Sequence, residues 1–291
     1  MKNLFTTLLV LISFSLVAQE IGFGFKAGLN FNTIKGDSEM ANGAELEDFT
    51  SNTGFHVGAT FTWKATDLMG VRAELLYNQK GGRQSFEGPS YFTLTTTNGN
   101  TVATSGTRKQ SLNLTTSYID IPVVGYFRPV EQLQLYAGAS VGFLVSASVF
   151  GEMNYTNGTT STGAIVQDFV YEIDGNYLSD KPGEAFFDNP AKTVTIGNNS
   201  TAEIPGSAGV YYEYPKDLGN LYKAIDLGLV AGVSIFLNGS LYVSGRVNYG
   251  LSDITKQAVD VSLVSKSGTE FNTLDHDDRN FSIQTSIGFA F

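Results

Sequence analysis

The chain has 291 residues, no cysteine and a formal charge of −10 from 18 basic and 28 acidic residues. The missing thiol excludes disulfides, thiolate metal sites, cysteine nucleophiles and lipid attachment at an N-terminal cysteine. The acidic balance excludes nucleic acid as a partner, because phosphates are neutralised by Lys and Arg in excess.

Residues 1–18 read as a signal peptide. Lys2 gives the positive start, Leu4 to Val17 an apolar run too short to span as a helix, and Ala18 precedes the expected cut. The domain that remains, 19–291, carries 17 basic against 28 acidic residues, a charge of −11. It contains no run of the ~18 apolar residues that a membrane helix needs, so any span is made of strands.

Alternation with a period of two then recurs eight times. Ile21 to Phe31 sets Phe23, Phe25, Ala27 and Leu29 against Gly24, Lys26, Gly28 and Asn30, and the next segment sets Phe55, Val57, Ala59, Phe61 and Trp63 against His56, Gly58, Thr60 and Thr62. Val71, Ala73, Leu75 and Tyr77 oppose Arg72, Glu74 and Asn78; Ile119, Ile121, Val123 and Phe127 oppose Tyr118, Asp120 and Tyr126. The second half repeats the split from Leu133 to Phe143, from Ile225 to Ile235 around Asp226, from Leu241 to Leu251 around Arg246, and from Phe281 to Phe291.

The connections alternate in length: 32–52, 65–68, 81–111, 129–132, 151–220, 238–240 and 252–279. Short turns at one end and long loops at the other distinguish an outer-membrane barrel from a secreted sandwich, which also alternates. The expected fold is therefore all-β: a closed antiparallel up-and-down transmembrane β-barrel of about eight strands with long extracellular loops, located in the bacterial outer membrane with both termini periplasmic. Trp63 and Phe127 at the turn ends, and Tyr77 and Tyr249 at the loop ends, are the expected interfacial aromatics. Phe291, closing an aromatic alternation, has the form of an assembly signal read by the barrel-insertion machinery.

An eight-stranded interior is just wide enough to be filled by side chains. Lys26, Arg72 and Arg246 face Glu74, Asp120 and Asp226 there, a balanced set that predicts a lumen charge network rather than an ion-selective pore. Glu74 and Asp120 are expected at similar depth on neighbouring strands, where Lys26 or Arg246 offsets their repulsion. Function then falls to the loops. The segment 151–220 is the large extracellular loop, with ten acidic residues against three lysines, a net −7. Its strand-like stretches 164–173 and 208–214 predict projecting hairpins, or an extra strand pair that makes ten. In the loop 81–111, Asn98-Gly99 between threonines signals a tight hairpin.

For chemistry, only His56 and His276 are present as histidine bases, and neither stands in a local spacing that supplies an orienting group and a nucleophile. Asp277 and Asp278 beside His276 lack the ligand spacing of a calcium loop, so no metal, cofactor or catalytic residue is assigned. Phe25-Lys26-Ala27-Gly28-Leu29-Asn30-Phe31, Gly54-Phe55-His56-Val57-Gly58, Ala73-Glu74-Leu75-Leu76-Tyr77-Asn78-Gln79-Lys80-Gly81, Tyr118-Ile119-Asp120-Ile121-Pro122 and Tyr136-Ala137-Gly138 together resemble the PorT-like outer-membrane barrels of Bacteroidetes. That resemblance implies a barrel and, for the member that gives the family its name, a part in protein secretion. The expected function is a non-enzymatic outer-membrane protein with a filled interior, bound to outer-membrane lipid and presenting loops to an extracellular ligand or for surface structure. A role as an accessory of secretion, through a secretion-system protein, is the alternative; a rim hydrolase using His56 or His276 is the second.

Overall fold

The computed structural model describes residues 20–291 other than Asn189, so the signal peptide expected at 1–18 lies outside the described residues. β1 (Glu20–Lys35) is followed by the short β2 (Met40–Ala41), β3 (Ala44–Glu45) and β4 (Glu47–Thr50), then by β5 (Asn52–Lys64). The four-residue turn 65–68 leads into three long strands, β6 (Met69–Thr95), β7 (Thr101–Val130) and β8 (Leu133–Thr160). Six short strands come next: β9 (Ile165–Val166), β10 (Phe169–Asn176), β11 (Ala185–Phe186), β12 (Lys192–Ile196), β13 (Ser200–Ile204) and β14 (Ser207–Ala208). β15 (Ile225–Phe236), β16 (Leu241–Gly250), the hairpin β17 (Val261–Ser267) and β18 (Glu270–Thr273), and β19 (Arg279–Ala290) complete the chain. Among the described residues no helix is long and apolar enough to cross a membrane.

Hydrogen bonding runs through the long strands in the order β1, β5, β6, β7, β8, β15, β16 and β19, every pair antiparallel. β19 also pairs with β1, from Gly24↔Ala290 to Lys35↔Arg279. The expectation of a closed up-and-down barrel of about eight strands is nevertheless corrected. The main sheet has fifteen strands and, taken whole, is not closed: it branches at β6 and β8, and its branches end on the edge strands β4, β11 and β13. Nor is it wholly antiparallel, since Glu172 and Ile173 of β10 pair in parallel with Ser207 and Ala208 of β14.

The physical reason is strand length. β6, β7 and β8 hold 27, 30 and 28 residues, about 90–100 Å at ~3.3 Å per residue, several times what a ~30 Å apolar layer requires. The segments 81–95, 101–111 and 151–160 are therefore strand, not loop. β6 and β7 stay paired out to Thr95↔Thr101, leaving only residues 96–100 as the connection. Asn98-Gly99 does form the expected tip, where Gly99 takes φ +81°, a conformation that costs a side chain strain. Of the two stretches expected to be strand-like, 164–173 contains β9 and most of β10, whereas 208–214 is mainly turn.

The two faces exchange their chemistry along these strands. In the half near the tight turns, Arg72, Glu74, Asn78, Asp120 and Gln134 are buried while Val71, Leu75, Val123, Phe127 and Leu135 are exposed. In the far half the buried side is Phe86, Phe92, Leu94, Leu112, Leu114, Val149 and Met153, and the exposed side includes Arg83, Glu87, Lys109, Ser111, Asn113, Ser148 and Glu152. On β8 the exchange coincides with a bulge, where Ser117↔Ser146 is followed by Tyr118↔Leu144. The far half thus buries an apolar core, as a sheet in water does. Phe92 packs there against Phe169 and Tyr155 at ring separations of 5.0 and 5.7 Å, and each such side chain contributes about 1.5–3 kcal/mol. The near half presents a continuous apolar exterior, with Phe25, Leu29, Phe61, Leu229 and Ile287 all outward.

Candidate functional site

Two regions concentrate polar chemistry. The first is the interior of the near half, where alternation sends every second side chain inward. Glu74 on β6 receives Lys26 Nζ at 2.6 Å, Arg72 Nε at 3.0 Å and Arg246 Nη1 at 2.8 Å. Arg72 also donates to Gln134 Oε1 at 2.9 Å and lies over the Tyr136 ring at 4.4 Å. The other two carboxylates form a separate group: Lys80 Nζ is 3.0 Å from Asp120 and 2.9 Å from Asp226. Side-chain amides join the groups, since Arg246 donates to Gln284, Gln284 to Asn78, and Asn78 to Asp120.

All six interior residues expected from the sequence face this network and are buried. Lys26 and Arg246 both reach Glu74; neither is paired with Asp120, whose cation is Lys80. Lys80 was missed because the alternating run ends at Asn78 when the chain is read alone, although Lys80 is its next inward position. With it the network holds four cations against three carboxylates, a net +1 in place of the expected zero.

Trp63, Phe127 and Tyr249 lie outward and exposed. Tyr77 is half-buried, donating to Ser117 Oγ at 2.9 Å beside the Phe55 ring. Phe291 is 76% exposed, its ring 5.0 Å from Phe289 and its backbone N–H donating to Phe23 O.

His56 sits between Asn30 Oδ1 at 2.6 Å from Nδ1 and Ser286 Oγ at 2.8 Å from Nε2. The Asn30 oxygen only accepts, so Nδ1 carries the proton and Nε2 receives the Ser286 hydroxyl. This copies the order nucleophile, base, orienter. Its surroundings do not: His56 and Asn30 are wholly buried and Ser286 nearly so, leaving a substrate carbonyl no approach. The chain of bonds holds the wall together. His276 stands 3.7 Å from Asp260 at the other end of the molecule. Among the described residues, no group of three or more His, Cys, Asp or Glu is placed to hold a metal ion.

The second region is a cavity of about 120 Å³ in the far half. Tyr91 and Arg108 on β6 and β7, Tyr171 on β10, the turn 209–214 and the β17–β18 hairpin wall it. The rings are fixed by their hydroxyls: Tyr91 donates to Ser262 O, Tyr171 to Glu213 Oε1 and Tyr214 to Ala258 O. Arg108 pairs with Glu213 at 2.8 Å; burial works most strongly against its charge, but the Glu213 carboxylate together with Tyr171 and Tyr91 holds its pKa above the usual value. Burial pushes the pKa of Glu47 and Asp260, on the opposite wall, above the ordinary carboxylate range. None of these residues was assigned a role from sequence. Arg108 and Glu213 are 105 positions apart, and no local spacing links them.

The family model for the outer membrane protein beta-barrel domain matches residues 17–256, most of the chain. The chain belongs to that family. As an outer-membrane protein it turns its apolar exterior to lipid, which explains why so many large apolar side chains are exposed while ion pairs are buried. No curated protein matches it. Among solved structures it is similar to Ail, the attachment invasion locus protein of Yersinia pestis, with 12% identity over 94% of this chain and 99% of that one and a TM-score of 0.35. It is similar also to Neisserial surface protein A (11%, 92% and 97%, TM-score 0.34) and to OprG of Pseudomonas aeruginosa (12%, 93% and 95%, TM-score 0.33). At these scores the likeness carries no argument about role.

Proposed function

We propose that the protein is a non-enzymatic integral outer-membrane protein with a filled interior, which displays the far halves of β6 to β8 and the segment 151–220 outside the cell as a binding surface. The observation that carries this reading is the exchange of chemistry along β6, β7 and β8: one half suits lipid, the other suits water. The linked interior network, with its seven buried charges, supports a plug over a conduit. Placing the tight turns 65–68, 131–132 and 237–240 in the periplasm puts both termini there too, with Phe291 available to the insertion machinery. The residues that resemble the PorT-like proteins support that closer affiliation; participation in secretion rests on it alone.

Planar-bilayer recording and protease shaving of intact cells test the reading together. Expected results are no large steady conductance, and cleavage confined to the far half. A steady open-pore current, or cleavage within the near half, overturns it.

A further inference from the structure

The far-half cavity has walls of two kinds that nothing else in the molecule uses. Aromatic rings supply one: Tyr91, Tyr171, Tyr212 and Tyr214, with Phe271 between Tyr91 and Tyr214, tilted to the first at 6.3 Å and edge-on to the second at 4.9 Å. Carboxylates supply the other: Glu39, Glu47, Glu213 and Asp260 against the single cation Arg108, a lining charge of −3. The cations nearby are committed elsewhere. Arg108 is held by Glu213, and Lys266 lies over Tyr91 at 4.8 Å while donating to Thr93 Oγ1. Glu47 accepts from Gln84 and from the Glu39 backbone, Glu39 from Ser262 and Leu263, and Asp260 from the His276 backbone. Among the described residues no Lys or Arg pairs with these three acids; the His276 ring lies 3.7 Å from Asp260. Arg108, only 3% exposed, donates to Glu213 and to the Tyr91 carbonyl.

Rings with their hydroxyls tied back present π faces, and carboxylates excluded from water favour a cation that sheds its own hydration easily. The volume is close to the ~150 Å³ that admits a benzene-sized molecule. We propose that this cavity binds a small organic ammonium ligand. The ammonium group lies against the rings and the Glu47 and Asp260 carboxylates. The inference rests on the reading of the far half as the binding surface.

Isothermal titration of the full-length protein in lipid nanodiscs tests it, with choline as the probe and uncharged 3,3-dimethylbutan-1-ol, its isostere, as the control. Saturable choline binding at least about tenfold tighter than the isostere is expected, since a desolvated cation–π contact is worth about that factor. Glu47→Gln and Tyr214→Leu, each checked for a retained shift between boiled and unboiled samples on a gel, are expected to weaken choline about fivefold or more. Equal binding of the two probes overturns the charge selection while leaving a binding cavity in place. Absence of saturable choline binding overturns the inference outright, and a failure of the wider reading appears separately, in conductance and cleavage. The isostere comparison uses the unaltered protein, so it holds even where a variant does not fold.

Discussion

Truncating Glu74 leaves Lys26, Arg72 and Arg246 buried together with no carboxylate among them, because all three converge on it. Breaking a buried pair costs more than the pair was worth, about 3–5 kcal/mol, since the abandoned charge stays desolvated. Glu74→Ala is thus expected to lower the urea-unfolding free energy by at least that amount, read from the gel shift of unboiled protein. A double variant Glu74→Ala with Lys26→Met is expected to recover part of it. At the other end of the molecule, burial raises the pKa of Asp278 to about 7, outside the membrane-facing strands. A carboxyl with a raised folded pKa binds its proton more tightly folded than unfolded, so its contribution is full at low pH and is lost as pH rises from about 4 through 7. Protease resistance of the far half is expected to be greater at pH 5 than at pH 8. In Asp278→Asn that difference should shrink; an unchanged profile would assign it to other groups.

Among the elements, β8 passes from β15 to β10, and β6 likewise changes partner. It pairs with β5 as far as His56↔Asn78 and with β4 from Thr50↔Arg83 onward. Gly81 lies in the gap with φ +126°, and a Cβ there falls 2.1 Å from Leu114 O. Gly81→Val is expected to free the far half from the near half: cleavage in 151–220 speeds up while the shift on boiling persists. The same gap explains what the chain reveals when read alone. In the near half the alternation is strict because lipid selects one face and the ion network the other, so Lys26, Arg72, Glu74, Asp120, Asp226 and Arg246 are legible as inward. Past Gly81-Gly82 the preference reverses, and Gly88-Pro89 interrupts it further. Phe86, Phe92 and Leu94 then read as loop residues although they are core. Tyr91, Arg108 and Glu213 meet only through pairings far apart in sequence, which no period encodes.

For the whole molecule the outward surface is two surfaces with different solvents. Leu229, near the middle of the apolar row from Ile225 to Ile235, and Phe150, in the far half, are 50% and 58% exposed, yet they face lipid and water respectively. Leu229→Arg is expected to cost about 2–4 kcal/mol and to reduce the membrane-inserted fraction. Phe150→Arg is expected to stay within about 0.5 kcal/mol. Equal effects on inserted yield would show that the boundary lies elsewhere.

Since β6, β7 and β8 each run unbroken from one solvent to the other, the order of assembly is constrained by geometry. With the far half outside the cell, as proposed, the tip at 96–100, followed by Arg83, Glu87 and Lys109, has to cross the lipid before the near halves can pair around Glu74. The most polar part of each hairpin is consequently the part that travels farthest, and it travels without the apolar core that later shelters its backbone. On that orientation the strand lengths themselves call for delivery through a polar passage, independently of the Phe291 signal.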